Sequence, residues 1–291
     1  MTSSRLDEAS GASLFFKCEN FQKIGAFKAR GATNAVFALD DAIARRGVAT
    51  HSSGNHGTAV ARAAKLRGVP AHIVMPSNSA KVKIRAVENY GADIVFCEPT
   101  EEAREATCAN VIKETGATLI HSFENENVIA GQGTAAIELL EDVPDLDLVM
   151  CPVGGGGLLS GTAVAAKSMQ PKIKVIAVEP QNVDDAAQSF RAGRRIVTKK
   201  KFTIADGLRT NIGEPNFVIV QRYADDIVTV SEEAIVSAMR TIWETMKIII
   251  EPSAAVSYAA IVENKIDIRG KRVGIILTGG NVDLDALPWN L

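Results

Sequence analysis

Several short segments of the chain carry side chains or bare backbone that could do chemistry. Lys28 lies in FQKIGAFKARGA, residues 21–32, and at helical spacing it shares a small, apolar face with Ile24, Gly31, Ala32 and Ala35. Burial there disfavours an ammonium and favours the neutral amine that imine chemistry requires, unless the side chain snorkels to the helix edge. Ser52-Ser53-Gly54-Asn55-His56-Gly57 sets two hydroxyls, an amide and an imidazole on one strand-to-helix turn. That is where a parallel sheet offers a ligand site, although Ser and Asn also cap helices without further purpose. Gly154-Gly155-Gly156-Gly157 follows an apolar strand and opens a helix, so backbone N–H groups and the helix dipole converge on a place for an anion. With no Lys-Ser/Thr behind it and no dinucleotide spacing, this turn suits a phosphate monoester or, with no ligand, is simply a tight turn. Glu179 and Asp185, separated by PQNVD, could bring two carboxylates and a backbone carbonyl to one hard cation. Thr278 adds a hydroxyl at the end of the last strand.

The elements that position these groups read as α/β, because short apolar strands alternate with Ala-rich segments of helical period. Strand 13–18 and a helix over 25–37 come first. A run of strand 48–51, turn 52–57, helix 58–66, strand 71–75, helix 80–89, strand 93–96, helix 101–115 and strand 118–120 then describes a small parallel sheet wrapped by helices. A second series follows: strand 148–153, helix 158–169, strand 174–178, helices 232–246 and 253–263, and strand 272–277. The expected organisation is a large domain of residues 1–43 and 125–291, a small α/β domain of residues 44–124, and a cleft between them.

The composition restricts the function classes. A net charge of -2 gives no basic excess for nucleic acid, and the cluster Arg191, Arg194, Arg195 and Lys199 to Lys201 falls in a segment read as a solvated loop. Charges or glycines interrupt every apolar run short of the roughly 20 residues that span a bilayer. Four cysteines without CxxC spacing offer neither a zinc cage nor a disulfide framework, and the N-terminus lacks a secretion pattern, so the reading is cytoplasmic. His51, His72 and His121 fall at strand positions and read as structural.

Taken together, FQKIGAFKARGA, SSGNHG, VGGGGLLSG, EPSAA and LTGGNVD, in this order, resemble the fold type II pyridoxal-phosphate enzymes, whose two-domain α/β fold is like that of the tryptophan synthase β chain. Within these enzymes they resemble the serine racemase and serine/threonine dehydratase group, and through FKCENFQK, THSSGNHG, VIAGQGT, TIADG and MKIIIEP there is a closer resemblance to eukaryotic-type serine racemase and to the hydroxyaspartate dehydratases. The resemblance implies that Lys28 holds pyridoxal 5'-phosphate covalently and acts as base on one face of the substrate. Ser53 is then the acid/base of the opposite face. It further implies that Gly154 to Gly157 cradle the phosphate, Asn55 binds the pyridine 3-oxygen and Thr278, where relatives usually have Ser, meets the pyridine nitrogen. Ser52, Ser53, Asn55, His56 and Thr210 surround an amino-acid substrate, and Arg104 approaches a second acidic group. Glu179, Asp185 and the Val183 carbonyl match a site for Mg or Ca.

The implied reaction is β-elimination from L-serine, L-threonine or threo-3-hydroxyaspartate to an oxo acid and ammonia, with racemisation as a second outcome. The alternatives are an enzyme that is mainly a racemase, a cysteine-forming β-replacement enzyme, and a non-enzymatic α/β binder. A homodimer is implied, and Asn281 and Tyr90 match positions linked to an ATP effector. Only about a dozen residues precede the first strand, fewer than relatives usually carry. Phe123 resembles the dehydratases rather than the racemases, and no C-terminal regulatory domain is expected.

Overall fold

The computed structural model describes residues 1–79, 81–199 and 202–289. Its strands are β1 (Ser13–Cys18), β2 (Val48–His51), β3 (Ala71–Pro76), β4 (Asp93–Cys97), β5 (Thr118–Leu119), β6 (Leu148–Pro152), β7 (Lys174–Pro180), β8 (Asp226–Val230) and β9 (Arg272–Leu277). The chain forms two compact units, Met1–Phe27 with Gln132–Leu291, and Lys28–Gly131.

In the larger unit five parallel strands run in the order β1-β9-β6-β7-β8. β6 reads LVMCP without alternation because every one of its residues is buried, as expected of a central parallel strand covered on both faces. Helices Glu232–Met246 and Pro252–Val262 help form the core on one side, and helix Gly157–Met169 that on the other. In the smaller unit four parallel strands run β4-β3-β2-β5, with helices Asn55–Arg67 and Glu101–Thr115 packed against them.

The unit boundaries, 27/28 and 131/132, differ from those expected at 43/44 and 124/125. Helix Lys28–Phe37 goes with the smaller unit because it packs along helix Asn55–Arg67. The Arg67 guanidinium fastens the far ends of the two helices together, donating to the Val36 and Leu39 carbonyls and to Asp41 Oδ1 at 2.9 Å. This helix also starts three residues later than expected. Ile24 and Gly25 both take left-handed backbone, at φ of 59° and 71°, which ends a short turn and leaves Ile24 off the helix face assigned to it.

Helix Glu126–Asp142 is absent from the sequence reading, as are Ser4–Ser10, Asp185–Ala192, Glu214–Tyr223 and β8. Gly131 and Gly133 depress the helical propensity of the first, yet both serve close approach. A Cβ on Gly131 would sit 2.6 Å from the Gly31 Cα, and one on Gly133 would sit 2.7 Å from the Gly161 carbonyl oxygen. The basic segment is not all loop: Arg191 lies on helix Asp185–Ala192 and Arg195 Nε donates to the Ile212 carbonyl at 2.7 Å. Ala80, Lys200 and Lys201 lie outside the described residues. Among the described residues no helix is long and apolar enough to cross a membrane.

Candidate active site

In the larger unit, β6 and β9 are parallel neighbours, with Met150 opposite Ile275. Continuing that register puts the turn after β6, Gly154–Gly157, beside Thr278 and Gly279 after β9. All four glycines are buried. Gly156 takes φ of 92°, where a side chain is strained, and a Cβ there would lie 2.8 Å from the Asn216 Cβ. A Cβ on Gly154 would lie 2.9 Å from the Leu208 Cα. Helix Gly157–Met169 starts here with no side-chain cap, so its dipole and first amides face a turn stripped of side chains. Asn216 braces the turn: its Nδ2 donates to the Gly155 carbonyl at 2.9 Å and its Oδ1 accepts from Ser160 Oγ at 3.0 Å. Thr278 is 3% exposed, and its Oγ1 is buried with no hydrogen-bond partner. The Thr278 carbonyl accepts from the N–H of Phe27, the residue before Lys28, at 3.0 Å.

The smaller unit gathers the other polar groups. Asn55 and His56 stand in the first turn of helix Asn55–Arg67, which begins three residues before the expected start, with Gly54 as N-cap. The Ser52 hydroxyl accepts from the Gly54 N–H at 3.3 Å, and Ser53 lies between them. Lys28, the first residue of its helix, donates from Nζ to the Ser122 carbonyl at 2.9 Å. The His56 ring is 2% exposed and sits 2.8 Å from the Ile120 carbonyl through Nε2, so a part for His56 in holding a carboxylate falls to its main chain. Burial, reinforced by the charge of Lys28, pushes the His56 pKa down to about 3. His51 and His121 meet edge to face at 6.0 Å; burial lowers the pKa of both, with nearby Arg104 adding to the effect on His51. His121 lies beyond β5 rather than in it. Arg104 sits on helix Glu101–Thr115, its Nε 3.4 Å from the Thr100 carbonyl. Thr210 belongs to the larger unit, half-buried after the turn Asp206–Leu208.

Away from the glycine turn, Glu179 is fully buried at the end of β7, and its two oxygens accept from the N–H groups of Ala186 and Ala187 at 3.0 and 2.8 Å. Asp185 accepts from the Ile212 N–H at 2.7 Å. Burial and the Asp185 charge push the Glu179 carboxyl well above the usual range, and burial raises Asp185 to about 6. Val183 ends the short turn between them. Among the described residues no group of three or more His, Cys, Asp or Glu is poised around a metal, so a cation here would need the Val183 carbonyl and water besides the two carboxylates.

These features fit a phosphorylated pyridine aldehyde. In the larger unit a bare, buried backbone turn at a helix start suits its phosphate and an unpartnered buried hydroxyl suits its ring nitrogen, and Lys28 in the smaller unit carries an amine of the kind that would bond its aldehyde. The family model described as pyridoxal-phosphate dependent enzyme matches residues 1–279. The chain belongs to that family. The enzyme is 51% identical over 289 residues to the beta-hydroxyaspartate dehydratase of Paracoccus denitrificans (strain Pd 1222), covering 99% of this chain and 92% of that protein. It is 48% identical to a serine racemase of Oryza sativa subsp. indica, covering 99% and 86%. A maize serine racemase structure superposes with a TM-score of 0.96 at 47% identity, covering 100% of this chain and 89% of that one. The enzyme therefore has the fold type II architecture, and its chemistry is that of pyridoxal-phosphate-dependent ammonia-lyases and serine racemases.

Sequence reasoning missed Asn216, although a polar residue early in a helix after Gly213 and Pro215 is a visible cue. It also missed the Ser122 carbonyl, which no side-chain pattern can reveal.

Proposed function

We propose that the enzyme acts on a small L-hydroxyamino acid, expelling the β-hydroxyl so that the product ends as an oxo acid and ammonia, with the D-isomer as a minor outcome. The observation that carries this reading is the orphaned Thr278 hydroxyl. A hydroxyl, unlike a carboxylate, does not hold a proton on the ring nitrogen, so the cofactor drains negative charge weakly and early loss of a β-leaving group is favoured over transamination. Lys28 Nζ removes the α-proton from one face. Ser53 Oγ serves the other face, returning a proton for racemisation. Ser52, Asn55 and Thr210, with the His56 main chain, hold the substrate carboxylate, and Arg104 favours a substrate with a second one. Asn55 also binds the cofactor 3-oxygen, and Gly154 to Gly157 hold its phosphate.

Mg or Ca, held by Glu179, Asp185 and the Val183 carbonyl, belongs to the same reading. Two buried carboxylates whose protonation is favoured by burial are what a dication would offset, and its role is structural rather than chemical. The homodimer and the ATP effector at Asn281 and Tyr90 rest on the family resemblance, and the cytoplasmic location rests on the cysteine spacing and the N-terminal sequence.

The test is a visible spectrum of wild type beside Lys28→Ala, followed by L-serine, L-threonine and L-threo-3-hydroxyaspartate in turn with Mg, assaying oxo acid and D-isomer. The expected result is a yellow wild type that forms oxo acid and an inactive variant. A protein that takes up no pyridoxal phosphate, or one that turns over none of the three, would overturn the reading.

A further inference from the structure

Three elements of the smaller unit meet on one short segment. Ile120 is anchored at the end of β5 by its N–H, which donates to the Ala49 carbonyl at 2.9 Å. The Ile120 carbonyl faces His56 Nε2 at 2.8 Å, and two residues on the Ser122 carbonyl accepts from Lys28 Nζ at 2.9 Å. The turn between them is closed by His121, whose Nδ1 accepts from the Glu124 N–H at 3.0 Å while its ring packs edge to face on Phe123 at 4.6 Å.

A carbonyl only accepts, so the His56 nitrogen facing Ile120 must carry the hydrogen. His56 Nδ1 is then an acceptor, and it is buried without a partner. Protonating it would place a second cation near Lys28 in a buried setting, and the low pKa of the ring reflects that. The imidazole is thus a neutral strut of fixed tautomer, with its donor face committed to the main chain.

We infer that His56 is a positioning residue for Lys28, acting through the Ile120–Ser122 main chain, and that the Ser122 carbonyl is where the Lys28 amine rests while it is not bonded to the cofactor. Once it has given up its extra proton, the amine can donate one N–H to this carbonyl and keep its lone pair for a substrate proton. With the acceptor fixed, the lone pair is confined to one of the two remaining tetrahedral positions on the nitrogen. The inference rests on the assignment of Lys28 as the cofactor lysine, but its test is read in the absence of cofactor, so the two can fail separately.

The experiment is trace acetylation of the full chain stripped of cofactor, with the labelling of Lys28 measured by mass spectrometry against exposed Lys172. His56→Met keeps the bulk and removes the donor; the expected result is a rise in relative Lys28 labelling of about fivefold, the equivalent of one net hydrogen bond. His56→Gln, whose amide can reach Ile120, is expected to restore wild-type labelling. Unchanged labelling in His56→Met, or an equal rise in both variants, overturns the inference. Should His56→Met not fold, the histidine 15N spectrum of the wild type decides: hydrogen on Nε2 of His56 supports the strut, and hydrogen on Nδ1 overturns it.

Discussion

Each unit of the enzyme ends a parallel strand in a turn that opens a helix, and the two turns are made in opposite ways. After β6 the turn is four glycines pressed so closely by Leu208 and Asn216 that a Cβ at Gly154 or Gly156 has no room. After β2 the turn is Ser52-Ser53-Gly54-Asn55-His56-Gly57, rich in side chains, and at Gly54 nothing lies within 4 Å of where a Cβ would be. The same strand-turn-helix geometry thus gives a surface of main-chain donors in one unit and a set of hydroxyl, amide and imidazole groups in the other. The first suits an invariant anion such as the cofactor phosphate; the second suits groups that must discriminate and move protons. Substitutions in the first turn should therefore act on folding and cofactor uptake together, and those at Ser52, Ser53, Gly54 and Asn55 in the second on chemistry with little change in stability; Gly57, where a Cβ would lie 2.3 Å from the Ser52 carbonyl oxygen, closes that turn as tightly as the first.

The sharpest way to break this contrast is Gly156→Ala. The left-handed backbone and the contact with Asn216 each oppose a methyl, and together they should cost about 3 kcal/mol. Cofactor affinity should fall by about 100-fold or more, because the phosphate turn must shift to make room. Equilibrium unfolding and titration with pyridoxal phosphate measure the two effects, and a variant with wild-type values in both would remove the reason for four glycines. Ser53→Ala probes the other turn. D-isomer formation should drop by about 100-fold, the usual scale for losing a positioned acid or base, while oxo acid formation persists. Loss of both activities in equal measure would place Ser53 in substrate binding rather than in proton transfer.

Much of this contrast is legible in the chain itself. Strands 13–18, 48–51 and 272–277 and helices 101–115 and 232–246 fall where the sequence pattern places them, since the strands are short segments with β-branched or aromatic residues and the helices have a Thr or Ser N-cap before two acids. The glycine turn is visible because only one residue type can make it. What is hidden has a physical cause in each case. Gly131 and Gly133 lower helical propensity in order to let helices touch, so a long helix reads as loop. Asn55 and His56 look like turn residues because Asn favours caps, yet Gly54 takes the N-cap and they enter the helix. The Ser122 carbonyl carries no side-chain signature, so the acceptor for Lys28 becomes visible only in three dimensions.

Acid stability separates the buried imidazole from the rest of its turn. With burial foremost, and Lys28, His121 and His51 adding to it, opposing its charge, the folded His56 ring stays neutral down to about pH 3, whereas an unfolded histidine protonates near 6.5. Between those values the unfolded chain binds the extra proton, so this contribution to stability is whole above pH 6.5 and lost as the pH falls. The slope is at most about 1.4 kcal/mol per pH unit. Asp185, raised to about 6 mainly by burial, works in the opposite sense, since its folded form gains a proton first as the pH drops. The His56 part is therefore read from the difference between wild type and His56→Gln in unfolding free energy across this range. Parallel curves would mean that the ring is protonated in the folded state.

The smallest expected effect makes the contrast most specific. Gly54 is a glycine in a turn rich in functional side chains, but its φ of -110° is open to any residue and its Cβ direction is empty. Gly54→Ala should cost no more than about 1 kcal/mol, the scale of placing alanine at a helix N-cap. It should also leave cofactor affinity unchanged, since this turn is not the one assigned to the phosphate. Should Gly54→Ala instead weaken pyridoxal phosphate binding as Gly156→Ala does, the two turns would be doing the same job. The division between a main-chain turn for the anion and a side-chain turn for the chemistry would then have to be given up.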